Sequence, residues 1–204
     1  MGLLDSLFRQ VKSVIRQEGQ KAVNEAVNQA VKDATTKTYS YTFEKLPLTA
    51  EEMKALPEAA LQDPAAVASL IVIALDRYGT DRQACFDMMN FLKGPEPLSE
   101  TEKQQINNQY MDGRNYTARS YFKGANPENN YTPAAPYRIE PFENPYSREN
   151  YDQGYIKIFL TSGGADSPRY VVLRQKKSTG QWFANQFIGI LTGIRIPKEQ
   201  DKWA

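Results

Sequence analysis

The run Ala65–Leu75 is the longest near-apolar stretch in the chain, and it constrains the fold more than any other feature. Its eleven residues are too few to cross a bilayer, which takes about 20, and Asp63 and Asp76 flank it. Asp63 followed by Pro64 is a helix start, because the carboxylate accepts from the first free N–H groups and proline suits the first helical position. The middle of the run, Ser69–Leu75, is apolar all round a helix, so that helix has to be buried on every side. The rest of the domain must therefore wrap it.

The neighbouring segments carry their own boundaries. Thr49 with Glu52 has capping-box spacing and opens a short helix that stops before Pro57. Thr80 is placed to cap a helix through Phe91-Leu92, closed by Gly94 and Pro95. Ser99 with Glu102 is a second capping box, for a helix ending near Gly113. After an irregular stretch at 114–154 come three alternating segments, Tyr155–Thr161, Tyr170–Lys176 and Gln181–Ile188, joined by short turns. Such strands form an antiparallel meander. Tyr137–Phe142 and Tyr39–Phe43 are shorter strand candidates. Helices first and strands last predict an α+β fold, with a long N-terminal helix and a helical half packed on a C-terminal antiparallel sheet of about four strands.

Composition narrows the chemistry. The 204 residues carry 25 basic and 24 acidic side chains, 41% hydrophobic residues, one cysteine and no histidine. Without histidine there are no His general bases, His-ligated metals or Ser-His and Cys-His triads. Cys85, beside Phe86, Met88 and Met89, reads as a small buried hydrophobe. Net charge is +2 over residues 1–38, −5 over 39–150 and +4 over 151–204, which leaves no electrostatic footprint for nucleic acid. The glycine-containing turn at 162–169 lacks the lysine and following helix of a phosphate loop. Neither cofactor nor metal is expected, and the balance leans against an enzyme. Asp5, Arg9 and Lys12 interrupt any secretory signal, so the expected location is cytoplasmic.

Residues 3 to about 36 read as one helix. Leu4, Phe8, Val11 and Ile15 form a bulky stripe, and beyond Gly19 the pairs starting at Ala22, Ala26 and Ala30 repeat every four residues. At 1.5 Å per residue it would span about 50 Å, more than the roughly 30 Å of a small domain. Two domains of organisation follow: a helical arm, 1–38, and a single α+β domain, 39–204. An arm that outruns its domain is expected to find a partner, as a homo-oligomer or on another protein, while residues 1–16 also suit a membrane surface through Leu4, Phe8, Val11 and Ile15.

A second candidate surface is the Tyr- and Asn-rich stretch 110–155. Tyrosine gives contact area at low entropy and asparagine adaptable hydrogen bonds, a mix that suits peptide or carbohydrate recognition; the bland alternative is that these rings pin an irregular segment to the sheet. Tyr137, Tyr146 and Tyr151 are its candidate contacts. Glu140, Glu143, Glu149 and Asp152 lie close enough in sequence to supply a hydrolase-like carboxylate pair.

Several stretches carry a resemblance: Glu143-Asn144-Pro145-Tyr146, Gly164-Ala165-Asp166-Ser167-Pro168-Arg169, Gln181-Trp182-Phe183, Gly193-Ile194-Arg195 and Lys202-Trp203-Ala204. With these, residues 137–204 resemble a bacterial family classed as a domain of unknown function. The resemblance implies a bacterial cytoplasmic setting and no assigned activity. It adds Asp166, Arg169, Trp182 and Arg195 to the candidate surface, where an Asp/Arg pair reads equally as a structural ion pair. The expected function is a non-enzymatic binding or assembly module.

Overall fold

The computed structural model describes Lys21 and residues 36–203. Contacts divide the chain into two units, Met1–Thr36 and Lys37–Ala204. Leu4, Phe8, Val11, Ile15, Ala22, Ala26 and Ala30 of the expected interaction helix, and the membrane-contact segment 1–16, lie outside the described residues.

The second unit is built round the apolar run. Its α-helices are α1 (Ala50–Lys54), α2 (Pro64–Asp76), α3 (Arg82–Lys93) and α4 (Glu100–Gln109). Asp63 caps α2 as its sequence predicts, accepting from the Ala65 N–H at 2.9 Å. From Ala65 to Asp76 every residue of α2 is buried. Helix α2 packs against α3 and against the sheet that follows. Replacing Ile71, fully buried, with alanine is expected to cost about 2–5 kcal/mol. Urea denaturation followed by circular dichroism measures it, and a loss below about 1 kcal/mol would show that α2 is not the centre of the core.

The other caps follow local chemistry, with one shift. Ser99 and Glu102 form the full reciprocal box at the start of α4. At α3 the cap is Asp81, not Thr80: the Asp81 carboxylate accepts from the Ala84 N–H at 3.0 Å, while the Thr80 hydroxyl accepts from Arg77 at 2.8 Å. Gly94 ends α3 at φ +61°, with the Phe183 ring where a Cβ would stand, so both backbone and space demand glycine there.

Among the described residues there are seven strands: β1 (Lys37–Thr38), β2 (Tyr41–Phe43), β3 (Tyr137–Ile139), β4 (Pro141–Glu143), β5 (Tyr155–Leu160), β6 (Arg169–Lys176) and β7 (Gln181–Gln186). The main sheet has five strands, not four, in the order β1-β4-β5-β6-β7, all antiparallel. The extra strand is β1, where Lys37 pairs with Glu143 and Thr38 with Phe142. Two residues are too short to show alternation, so nothing in the sequence marks them. The Tyr137–Phe142 candidate divides at Glu140: β3 pairs with β2 in a separate two-stranded sheet, and β4 joins the main one.

Alternation gives the main sheet two faces. Ile156, Ile158, Leu160, Val171, Leu173, Trp182 and Ala184 are buried on the inner face. Tyr155, Lys157, Phe159, Tyr170, Val172 and Asn185 stand half-buried or exposed on the outer one. Most of the tyrosines between α4 and β3 pin the irregular segment down. The hydroxyls of Tyr110, Tyr121 and Tyr131 donate to the carbonyls of Leu75, Ile190 and Arg195 at 2.6, 2.6 and 2.7 Å. No helix among the described residues is long and apolar enough to cross a membrane.

Candidate functional site

The outer face of β5–β7 holds a set of polar side chains that make no hydrogen bond within the described fold. An aromatic row crosses it: Phe142 stacks on Phe159, and Phe159 meets Tyr170, each at 5.6 Å between ring centres. Beside this row lies a groove of about 340 Å³, floored by Val172 and walled by Tyr146, Tyr155, Tyr170 and Lys157, with Asn150, Gln153, Asn185 and Gln186 at its rim. That size falls within the range of small-ligand sites, roughly 300–1,000 Å³.

Two local structures shape the groove. The first is a β-bulge in β7. Val172 pairs with Gln186 but Leu173 pairs with Ala184, so Asn185 is an extra residue opposite the β6 ladder. A bulge bends its strand and re-aims side chains. Here it sets two successive side chains, Asn185 and Gln186, on the groove, and Phe187 returns to the core. Asn185 also lines two adjoining depressions of about 600 and 390 Å³, one toward α4 and one toward the end of α3.

The second is the loop after β4. The Asn144 side chain accepts from the Tyr146 N–H at 2.9 Å, a turn asparagine forms with its own backbone. Ser147 is buried; its hydroxyl accepts from the Asn144 N–H at 3.0 Å and its carbonyl from the Lys157 N–H at 3.0 Å. Glu143, 8% exposed, accepts from Arg148 Nε at 2.6 Å and from the Tyr39 hydroxyl at 2.6 Å. The loop is thereby tied at both ends, and it holds Tyr146, 53% exposed, as the groove's outer wall.

The groove is polar but nearly neutral. Lys157 is its single charge; it is paired with Glu149 at 2.7 Å, which raises its pKa, and stands 5.9 Å from the Tyr170 ring centre. The side-chain amides of Asn150, Gln153, Asn185 and Gln186 and the hydroxyls of Tyr146, Tyr155 and Tyr170 make no hydrogen bond to the described residues. Many such groups elsewhere are engaged. The hydroxyls of Tyr39, Tyr41 and Tyr78 donate to Glu143, Asp63 and Asn107. The amides of Gln62, Asn90, Asn126, Asn129, Asn144 and Gln175 are all bonded. The groove thus brings together seven neutral polar side chains with no hydrogen-bond partner among the described residues.

The residues singled out from sequence do not share one surface. Tyr146 alone of them lines the groove. Tyr137 packs edge-on against Phe122 and borders a different depression, with Arg119 and Asp76. Tyr151 lies under Arg148 and 5.7 Å from Trp182, and Trp182 is a core residue, 3% exposed, on the inner face of β7. Asp166 and Arg195 face each other at 3.5 Å, both exposed. Arg169 donates to the Ser167 hydroxyl and carbonyl at 2.9 Å, closing its own turn. Gly164 allows that region to close, since a Cβ there would collide with the Tyr131 hydroxyl. The Asp166, Arg169 and Arg195 set is therefore a loop clamp.

The carboxylate pair is not assembled either: Glu143 is held by Arg148 and Tyr39, Glu140 by Lys123 and Arg138. Among the described residues no cluster of three or more His, Cys, Asp or Glu could hold a metal ion. Cys85 is buried, and burial, with Asp76 and Asp81 nearby, pushes its thiol pKa well up. The native protein at pH 8 is expected to show no fast reaction with Ellman's reagent, with one thiol appearing in denaturant; rapid labelling of the folded protein would contradict that burial. The sequence reading missed Asn185 and Gln186. Their signal was the break in alternation at Ala184-Asn185-Gln186, two polar residues before Phe187.

Helices on one face of a five-stranded antiparallel sheet, with a neutral groove on the other, define a mixed α+β domain. The chain belongs to the family described as Domain of unknown function (DUF6935), whose model matches residues 45–198. The match takes in the helical half as well as the C-terminal strands, while Lys202-Trp203-Ala204 falls beyond it. No curated protein and no solved structure matches the chain.

Proposed function

We propose that this protein is a binding module, not an enzyme, and that its ligand surface is the groove on β5–β7. The observation that carries this reading is the gathering of seven neutral polar side chains without partners, from Tyr146, Asn150, Gln153, Tyr155, Tyr170, Asn185 and Gln186, around one depression. Tyr155 and Asn185 are half-buried, where polar groups normally find partners within the fold; the other five are exposed, so the cluster as a whole can exchange water for the polar groups of a ligand. The ligand class this favours is uncharged and rich in hydrogen-bonding groups, a carbohydrate or a peptide.

Chemical-shift mapping on the labelled full chain tests it. A mixed set of neutral oligosaccharides and neutral peptides is expected to perturb amides around 146–157, 170–172 and 185–186. Perturbation confined to other faces would remove the groove from consideration.

Self-association is a separate proposal and rests on sequence alone. The Ala-Val repeat at Ala22, Ala26 and Ala30 supports it, since small residues permit close approach between helices. Sedimentation of the full chain beside a variant lacking residues 1–36 is expected to show the full chain as the larger species; two monomers would end the idea.

A further inference from the structure

Resting on the groove reading above, we infer that its ligand is a neutral glycan. Strand β6 is paired along both β5 and β7, β5 is paired with β6 throughout, and on its other side β5 meets β4 at Phe159 and Leu160 while its Lys157 N–H is taken by the Ser147 carbonyl; the groove lies over the face of these strands. Over that face a ligand meets side chains and not free ladder positions of β6, so recognition there comes from side chains. Peptide side chains would in turn want apolar pockets, and Val172 is the one half-buried aliphatic in the lining.

What the lining offers instead matches a polyol. Each sugar hydroxyl both donates and accepts. Each Asn or Gln amide offers two donors and an acceptor, and each Tyr hydroxyl one of either kind. Asn185 and Gln186, brought side by side by the bulge, present such amides next to each other. Tyr170, 46% exposed, and Tyr146 offer ring surface for the apolar C–H faces of a pyranose. The cations at the groove already have counter-ions: Lys157 is paired with Glu149, and Arg174, on the same face 5.8 Å from the Tyr155 ring centre, with Glu96 at 3.3 Å, which leaves no unpaired cation among the described groove residues to hold an anionic sugar.

The test uses the labelled full chain with four separate probes: cellohexaose, maltohexaose, xylohexaose and the hexamer of N-acetylglucosamine. At least one is expected to give saturable shifts at Tyr155, Tyr170, Asn185 and Gln186. Tyr170→Ala and Asn185→Ala are each expected to weaken that probe about tenfold, Asn185→Ala with the melting temperature unchanged and Tyr170→Ala with a small loss from its contact with Phe159. Gln200→Ala, remote from the groove, is expected to change nothing.

Silence from all four probes overturns the inference. So does stronger binding of polygalacturonate in the same place, which would mean that the site reads charge. If neutral peptides perturb the groove and none of the sugars does, the glycan assignment falls and the groove reading stands. If neither class perturbs it, both fall.

Discussion

Glu102→Ala is expected to be among the most damaging single substitutions in the domain, at about 3–5 kcal/mol. Lys93 Nζ sits 2.5 Å from Glu102 Oε1, and the lysine side chain is 9% exposed. Lys93 is the last residue of α3, and its ammonium lies 5.9 Å from the Phe187 ring centre. Removing the carboxylate would leave that charge enclosed without a counter-ion. Glu102 also closes the capping box of α4, accepting from the Ser99 N–H and hydroxyl at 2.9 Å each, and a lost cap adds about 1 kcal/mol. Burial alone would raise the Glu102 pKa, but the hydrogen bonds from Lys93 and Ser99 hold it below its ordinary value. Two further variants separate the charge from the cap. Glu102→Gln keeps an acceptor for Ser99 and loses the ion pair. Lys93→Met in the Glu102→Gln background removes the stranded charge and is expected to recover most of the loss. Urea titrations give all three values; a Glu102→Gln loss far smaller than that of Glu102→Ala would show that the cap dominates, and failure of the double variant to recover would show that the stranded charge is not the cause.

Features like these were legible where the signal is local. Asp63-Pro64, the apolar turns of α2 and the Ser99/Glu102 spacing each act within a few residues, and each forms as read. Periodicity likewise marks β5, β6 and β7. Legibility fails where the deciding partner is distant. Strand β1 is two residues long and exists because Glu143 and Phe142, more than a hundred positions on, lie beside it. The shift of the α3 cap from Thr80 to Asp81 is of another kind: both candidates are local, and the carboxylate takes the Ala84 N–H while the Thr80 hydroxyl takes Arg77.

The candidate site shows the same division. The Tyr- and Asn-rich composition pointed to Tyr146 and, through its interleaved asparagines, to the loop that carries Asn150. It could not tell rings that pin the chain, such as Tyr110, Tyr121 and Tyr131, from rings that face out. Strand parity would have placed Trp182 inward with Ala184, since both share the face opposite Phe183. The break in alternation at Asn185-Gln186 marks an irregularity, but which face the bulge turns these side chains to depends on how β7 meets β6.

Arg148→Ala is expected to cost about 3–5 kcal/mol at pH 7, for the converse reason: here the buried partner is the acid. Glu143 is nearly enclosed, while Arg148 is half exposed and reaches in from the loop. Burial by itself would raise the Glu143 pKa; hydrogen bonds from Arg148 and Tyr39 outweigh it and hold the pKa below the ordinary carboxylate value. The sign for the wild type follows from that lowering. Its stabilising contribution is present above the unfolded pKa, about 4.3, and is lost as pH falls through the lower folded value. Without Arg148 the balance tips toward burial, and the folded state then favours the protonated acid. The variant is expected to regain stability as pH drops from 7 toward 4, so its deficit against wild type should shrink over that interval. Thermal melts of both proteins at pH 7, 5.5 and 4 measure the deficit. A gap that stays constant would mean that Glu143 is not the group left uncompensated. Because the same arginine ties down the loop that carries Tyr146, the variant should also broaden the amide signals of residues 144–150, linking the acid response to the wall of the groove.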